Sequence, residues 1–200
     1  YLMALDQEGK PWCDEHLNII PCSCNGYEPI KARYIFDLMQ IIKPCLVLVS
    51  YDVFPLPHYY KYLFAIRQMG AKVVVHLPVD GDLVNIKPLL PLLRLDQLLF
   101  YTKYIKKRFV ELYWELKKTQ PDLPELPRLS VSPLGTDVTS FYPINGSIDA
   151  HFTGKQRYEA KKKAFPHRPE LHDSFIVLNA NRNWERKRLD LTIEGFARFA

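Results

Sequence analysis

The sequence is poor in cysteine, with four in 200 residues. That number is too small for a disulfide-stabilised scaffold and fits a reducing compartment. Three of the cysteines and one histidine could in principle supply zinc ligands: Cys13, His16, Cys22 and Cys24. Their spacing does not match a usual zinc knuckle or ribbon. We therefore predict ordinary cysteines and no metal site.

Long apolar runs and a strong charge of one sign are also missing. No run approaches the roughly 18 apolar residues of a transmembrane helix, and no secretory signal is recognisable, so we predict a cytoplasmic protein. The formal net charge of +5 suits anionic small molecules or a membrane surface as well as nucleic acid. No nucleic-acid recognition module is present, so we predict no such partner. The basic stretch 103–118 could contact anionic lipid at the membrane periphery, although a solvated face on a core helix is the simpler interpretation.

Strand-like and helix-like segments alternate over the first two thirds of the sequence. Short apolar runs predict strands, at 45–49, 72–75, 97–100 and 128–131. Apolar residues at helical spacing predict helices between them, ending near Ile42, Met69 and Lys118. Gly70 fits the position after a helix, and Thr102 fits an N-cap. Pro88 and Pro91 predict a short or irregular helix around 86–93. This alternation predicts an α/β fold with a Rossmann-like parallel sheet.

The C-terminal stretch from Asp173 repeats the pattern around a basic loop. The run Phe175 to Leu178 predicts a buried strand, and apolar residues at helical spacing from Leu189 to Ala200 predict a helix. The loop between them contains four cations: Arg182, Arg186, Lys187 and Arg188. In parallel α/β sheets ligands bind at strand ends, where a helix N-terminus favours an anion. We therefore predict a diphosphate site, with a solvated loop as the alternative.

Two segments resemble a known family. The stretch 181–190, NRNWERKRLD, followed by TIEGF, is similar to the Arg…Lys motif of family 4 glycosyltransferases, which are retaining, nucleotide-sugar-dependent enzymes of the GT-B fold. The stretch 132–138, SPLGTDV, followed by Phe141-Tyr142-Pro143, is similar to the interdomain signature of that family. The resemblance implies that Arg182 and Lys187 bind the diphosphate of a nucleotide sugar. It further implies sugar transfer to an acceptor (glycan, lipid or protein) with retention of configuration and without a cofactor or divalent metal.

Polar residues that follow the predicted strands are further site candidates. His76 follows the strand at 72–75, and the resemblance implies that a polar residue near it contacts the reacting sugar or the acceptor, so we assign it a catalytic role. Asp80 could orient an acceptor hydroxyl or act as a base, with turn formation as the alternative. Asp80 and Asp82 could also bind Mg²⁺ or Mn²⁺, which the GT-B type does not require. Asp52 and Gly135 complete the predicted cleft, Gly135 because glycine permits positive φ and close backbone approach.

We predict three segments along the chain. Residues 1–135 form an acceptor-side Rossmann-like domain whose N-terminal part is missing. Residues 136–172 form an interdomain linker with a basic helix, and 173–200 form the first strand–helix unit of a truncated donor domain. The family's Gly-rich loop and Glu-x₇-Glu motif would lie outside this sequence, so we expect a fragment that is inactive alone. The alternative is a non-catalytic, truncated or degenerate relative that serves as an interaction domain.

Overall fold

The computed structural model describes residues 1–5, 7–23, 28–79, 81–135, 137–140 and 154–199. The chain divides into two compact units, Tyr1–Gly135 and Thr136–Ala200. The assignment of these units to an acceptor side and a donor side stays a prediction. Among the residues that the structure describes, no helix is both long enough and apolar enough to cross a lipid bilayer.

The first unit is an α/β unit with a four-stranded parallel sheet, in the order β4-β5-β6-β7. Its strands are β4 (Leu46–Ser50), β5 (Lys72–Leu77), β6 (Gln97–Phe100) and β7 (Arg128–Val131). The segments that connect successive strands contain α2 (Tyr60–Gln68), a 3₁₀ helix (Lys87–Arg94) and α3 (Lys103–Thr119). The predicted alternation and the predicted parallel sheet are confirmed.

Local sequence signals explain where these helices begin, end and change type. The Thr102 hydroxyl accepts a hydrogen bond from the backbone N–H of Ile105 at 3.1 Å, which caps α3 as predicted. Gly70 follows α2 with φ +101°, a conformation that glycine adopts without steric cost. Pro88 and Pro91 lack the N–H groups that an α-helix needs, so the segment between β5 and β6 is 3₁₀ helix instead.

The core of the first unit lies on one face of the parallel sheet. Alternate side chains of β5 and β6 are fully buried there, among them Val73, Val75 and Leu98. The Phe100 ring of β6 packs against Phe109 of α3, with ring centroids 5.1 Å apart. Each such buried side chain contributes about 1.5–3 kcal/mol. This packing fixes the positions of the strand ends.

A helix and a small mixed sheet precede the parallel sheet. The helix is α1 (Glu28–Ile42). In the small sheet, β3 (Asn18–Pro21) pairs in parallel with β1 (Leu2–Ala4) and in antiparallel with β2 (Trp12–Cys13). The sequence predicts a short strand at 17–20, close to β3, but β1 and β2 contain only three and two residues, and this sheet was not predicted as a unit.

The second unit contains α4 (Gly154–Ala164) and α5 (Leu189–Phe199). The predicted final helix is confirmed over α5, and Ala200 lies outside the described residues. The predicted buried strand at 175–178 is wrong: this run has no strand pairing, and Phe175 is 73% exposed. A strand needs a neighbour for its N–H and C=O groups, and the described part of this unit contains no second strand.

Candidate functional site

The carboxyl ends of β4 and β5 bring Ser50 and His76 together. The two residues are paired in the parallel ladder, so their side chains lie on the same face of the sheet. The Ser50 Oγ is 3.0 Å from Nδ1 of His76, and Nε2 of His76 is 3.3 Å from the backbone carbonyl oxygen of Ser132. The His76 residue is only 8% exposed, whereas Ser50 is exposed. Both ring nitrogens of the predicted catalytic His76 are thus engaged, and Ser50 is the outward-facing group of the pair.

The Ser132 carbonyl determines where the proton of a neutral His76 ring lies. A carbonyl oxygen only accepts hydrogen bonds, so Nε2 must be the nitrogen that carries the hydrogen. Nδ1 then has a lone pair and accepts the hydrogen bond from the Ser50 hydroxyl. As a result, the Ser50 proton points to the ring, and the lone pairs of Ser50 Oγ are left to face other groups.

The other predicted residues of the first unit do not join this pair. Asp52 is exposed two residues beyond the end of β4 and has no hydrogen bond or ion pair with a described residue. Asp80 lies outside the described residues. Gly135 does not have a positive φ, and a Cβ added to it would meet no heavy atom within 4 Å. The protein itself thus gives no steric reason for a glycine at this position, and the place of Gly135 in a ligand cleft stays a prediction.

The second aspartate of the Asp-x-Asp pattern has structural partners. Asp82 accepts a hydrogen bond from the Tyr104 hydroxyl at 2.8 Å and lies 3.8 Å from the Arg108 guanidinium. These contacts tie the loop after β5 to α3. No group of three or more His, Cys, Asp or Glu side chains placed to hold a metal occurs in the described part of the chain, which does not include Asp80 or Cys24.

The interdomain motif is described only in part. Asp137 accepts hydrogen bonds from the Thr139 backbone N–H at 2.9 Å and from the Ser140 hydroxyl at 2.5 Å. The hydrogen bonds from Ser140 and Thr139 lower the pKa of Asp137 to about 2. Asp137 therefore forms a local turn. The rest of the motif, Thr136 and 141–143, lies outside the described residues.

A carboxylate at the start of α1 makes hydrogen bonds and an ion pair that were not predicted from the sequence. Glu28 accepts hydrogen bonds from the hydroxyl groups of Tyr51 at 2.9 Å and Tyr59 at 2.6 Å. Its carboxylate also lies 3.4 Å from the Nζ of Lys31, whose side chain is 2% exposed. Burial raises the pKa of Glu28, but the hydrogen bonds from Tyr59 and Tyr51 and the charge of Lys31 lower it by more, so the pKa lies below its usual value. Glu28 is therefore an ionised acceptor that holds both tyrosine protons.

The basic loop of the second unit is the other candidate site. Arg188 follows the 3₁₀ turn Glu185–Lys187 with φ 45°, and its guanidinium donates to both carboxylate oxygens of Asp190, at 3.0 and 2.8 Å. These hydrogen bonds raise the pKa of Arg188 and lower that of Asp190. In contrast, the side chains of Arg182 and Lys187 have no partner among the described residues. Of the three cations in the loop whose side chains the structure describes, one is thus neutralised and two are available.

Hydrogen bonds hold the basic loop against α5. The Asn179 side chain donates to the Thr192 hydroxyl at 2.8 Å. The backbone carbonyl of Arg182 accepts a bond of 2.8 Å from the N–H two residues later, and the Lys187 N–H donates to the carbonyl three residues earlier at 2.8 Å. The side chain of Arg186 is not among the described parts of the chain. Arg182 and Lys187 lie in the loop that precedes α5, and an anion bound at the N-terminus of that helix would be stabilised by the helix dipole as well as by nearby cations.

The predicted basic helix α3 has less free charge than its sequence suggests. Its last turn includes Lys117, whose ammonium contacts Glu125, and the Nζ of Lys106 donates to the Leu129 carbonyl at 3.0 Å. Glu111 lies 3.8 and 3.5 Å from the two cations that precede it by one turn. Four cations therefore have partners among the described residues: Lys106, Lys107, Arg108 and Lys117. A membrane contact through this helix stays a prediction.

Comparisons with protein-family models, with the sequences of characterised proteins and with solved structures found no match for this chain. The likeness to family 4 glycosyltransferases therefore depends on the two sequence motifs alone. The fold itself defines an α/β protein with a parallel sheet, and function has to be argued from the chemistry of the strand ends and of the basic loop.

Proposed function

We propose that this chain takes part in the transfer of a sugar from a nucleotide-diphosphate donor to an acceptor hydroxyl, with retention of the anomeric configuration, within a protein of the GT-B type. The observation that supports this proposal most directly is the state of the basic loop. Arg182 and Lys187 are unpaired among the described residues, although Arg188 beside them is neutralised by Asp190. In a loop that is merely solvated and binds no ligand, unpaired cations near a helix N-terminus have no evident role, and they are mildly unfavourable there.

In this proposal the two cations bind the departing diphosphate. Negative charge grows on the diphosphate oxygens as the bond to the sugar breaks, so positive groups fixed in advance stabilise the transition state more than the ground state. This assigns to Arg182 and Lys187 the role that a divalent metal has in other glycosyltransferases. His76 and Asp80 are the catalytic candidates on the acceptor side, with Asp52 and Gly135 as cleft residues. A cytoplasmic location with peripheral membrane contact completes the proposal.

The test is replacement of one cation in the full-length gene product. We expect Lys187→Ala to lower sugar transfer at least a hundredfold, because the loss of one preorganised charge or donor typically costs about 2.7–4 kcal/mol in the transition state. Lys163→Ala is the matched control, since it removes the same charge from an exposed position on α4 of the same unit. Initial rates with a panel of sugar nucleotides, together with circular dichroism of each variant, give the result. Unchanged turnover in the Lys187 variant would contradict the assigned role.

One observation favours a second candidate, a non-catalytic interaction domain. Several large apolar side chains of the second unit are exposed, including Phe175 at 73%, Leu178 at 80% and Ile193 at 71%. Exposed apolar patches of this kind mark interaction surfaces. Calorimetric titration with UDP and GDP separates the two candidates. Binding that Lys187→Ala abolishes supports the transferase, and a full-length protein that binds neither nucleotide supports the interaction domain.

A further inference from the structure

A cavity of about 570 Å³ lies beside β4, an edge strand of the parallel sheet. Its wall is formed by β4 together with residues of β1, α1 and α2. A volume of this size is typical of small-molecule sites. The described lining is mostly aliphatic and aromatic, and it includes Leu46 and Leu48, which are 57% and 62% exposed. Ser50, at the carboxyl end of β4, also lines this cavity.

Three hydroxyl groups in the cavity wall, those of Ser50, Tyr51 and Tyr59, have their protons engaged elsewhere. The Ser50 proton points to Nδ1 of His76, as the Ser132 carbonyl requires. Tyr51 and Tyr59 line the same cavity, and both of their protons go to the carboxylate of Glu28. None of these three hydroxyl groups can therefore donate a hydrogen bond to a ligand while the networks are intact. Ser50 Oγ can only accept one.

The described lining contains no charged side chain. An anion would find no cationic side chain in this lining, so the cost of removing its charge from water would not be offset by an ion pair. A neutral molecule with an apolar body would bury its surface against the aliphatic and aromatic wall. If that molecule also has a hydroxyl group, its proton can bond to Ser50 Oγ.

We propose that this cavity binds a neutral alcohol with an apolar body, and that Ser50 recognises the alcohol by accepting the proton of its hydroxyl group. His76 is the positioning residue that orients Ser50 as an acceptor. The inference rests on the proposed function in one respect: the alcohol is the acceptor of the transferred sugar, which narrows the acceptor from any glycan, lipid or protein to an apolar alcohol.

Three naphthalene probes test this recognition, with the full-length protein and fluorescence titration. The probes share one apolar body: 2-naphthol can donate a hydrogen bond, 2-methoxynaphthalene can only accept one, and 2-naphthoate is an anion at neutral pH. We expect 2-naphthol to bind about fivefold more tightly than 2-methoxynaphthalene, the effect of one net hydrogen bond. We expect no measurable binding of 2-naphthoate in the same concentration range.

Two substitutions of Ser50 form a matched pair, because threonine and valine have the same shape and differ in one hydroxyl group. Both are β-branched and suit a strand position. Ser50→Thr should keep the roughly fivefold preference for 2-naphthol, and Ser50→Val should reduce it to about one. Long-range ¹H–¹⁵N spectra of the wild-type imidazole should show hydrogen on Nε2 of His76. This readout reports the orientation of Ser50 independently of any transfer activity.

Several results would overturn the proposal. These are hydrogen on Nδ1 of neutral His76, equal binding of 2-naphthol and 2-methoxynaphthalene, a preference that persists in Ser50→Val, or no binding of either probe. The last result would also be expected if a polypeptide strand paired with the edge of β4. Failure of the proposed function is distinguishable: a protein that discriminates the probes through Ser50 but does not bind UDP or GDP keeps the alcohol site and loses the transferase assignment.

Discussion

The contribution of the Asp96 side chain to the free energy of unfolding can be worked out from the structure. Its carboxylate precedes β6 and accepts the backbone N–H of Val73 at 2.9 Å, the ammonium of Lys72 at 3.1 Å and the guanidinium of Arg67 at 3.3 Å. Val73 is fully buried, so Asp96→Ala leaves a buried donor without this partner, which costs about 1–3 kcal/mol. Lys72 and Arg67 are 72% and 47% exposed, so the two ion pairs together contribute about 1 kcal/mol or less.

Two replacements separate the hydrogen bond from the charge. Asp96→Asn keeps an oxygen that can accept from Val73 and loses the ion pairs, so we expect it to destabilise the protein by less than about 1 kcal/mol. Asp96→Ala should cost about 1.5–3 kcal/mol, and Asp122→Ala, at an exposed position, should cost close to nothing. Urea unfolding followed by circular dichroism measures all three. Equal losses for the alanine and asparagine variants would refute the buried hydrogen bond as the main contribution.

The pH dependence gives a second check on Asp96. Burial raises its pKa, but the hydrogen bonds from Val73 and Lys72 and the charge of Arg67 lower it by more, so its pKa in the folded protein lies below the unfolded value of about 3.9. The stabilising contribution of the charge is therefore complete above that unfolded value and is lost as the pH falls through the folded pKa. The difference in unfolding free energy between wild type and Asp96→Asn should shrink in that window. A constant difference would contradict this account.

Two further substitutions test local contacts in the first unit, by urea unfolding. Tyr60→Phe removes the hydrogen bond of 2.6 Å from the hydroxyl to the Pro88 carbonyl and should cost about 1 kcal/mol at pH 7. Burial raises the pKa of Tyr60 to about 12, above its unfolded value of about 10, so wild type should lose this advantage between pH 10 and 12. Thr102→Ala removes the cap of α3 and should cost about 1 kcal/mol, whereas Thr119→Ala, at the exposed end of the same helix, should cost far less.

The sequence predicts the parallel sheet well because three of its strands are largely apolar runs bounded by strong local signals, and the fourth, Arg128–Val131, alternates polar and apolar residues. The run at 97–100 is an example, since β6 has those bounds in the structure. The run at 175–178 has the same local pattern and forms no strand. Local pattern reports the tendency of a segment to be extended, but strand formation also requires a neighbouring strand to pair with. The sequence of the segment itself does not show whether such a neighbouring strand exists.

Site residues were predictable where a single strand end marks them and unpredictable where two distant segments meet. His76 was identified from its place after an apolar run. Ser50 occupies the equivalent place on β4, but its contact with His76 depends on the register between the strands. The cluster around Glu28 is harder still to predict from the sequence, because Tyr51 and Tyr59 lie 23 and 31 residues away from Glu28. Nothing in the sequence around either tyrosine indicates that its hydroxyl group contacts a carboxylate.

In the basic loop, the structure reduces the number of cations that are candidates for binding an anion. Counting cations alone, the four basic residues of the loop are equal candidates for binding an anion. The structure removes Arg188 from that set, because Asp190 already holds its guanidinium at 2.8 Å. A guanidinium that is fully paired adds little to an anion site, since a new anion would have to compete with the carboxylate. Among the cations whose side chains the structure describes, the case for a diphosphate site therefore depends on Arg182 and Lys187, and each can be tested against the paired Arg188 in the same loop.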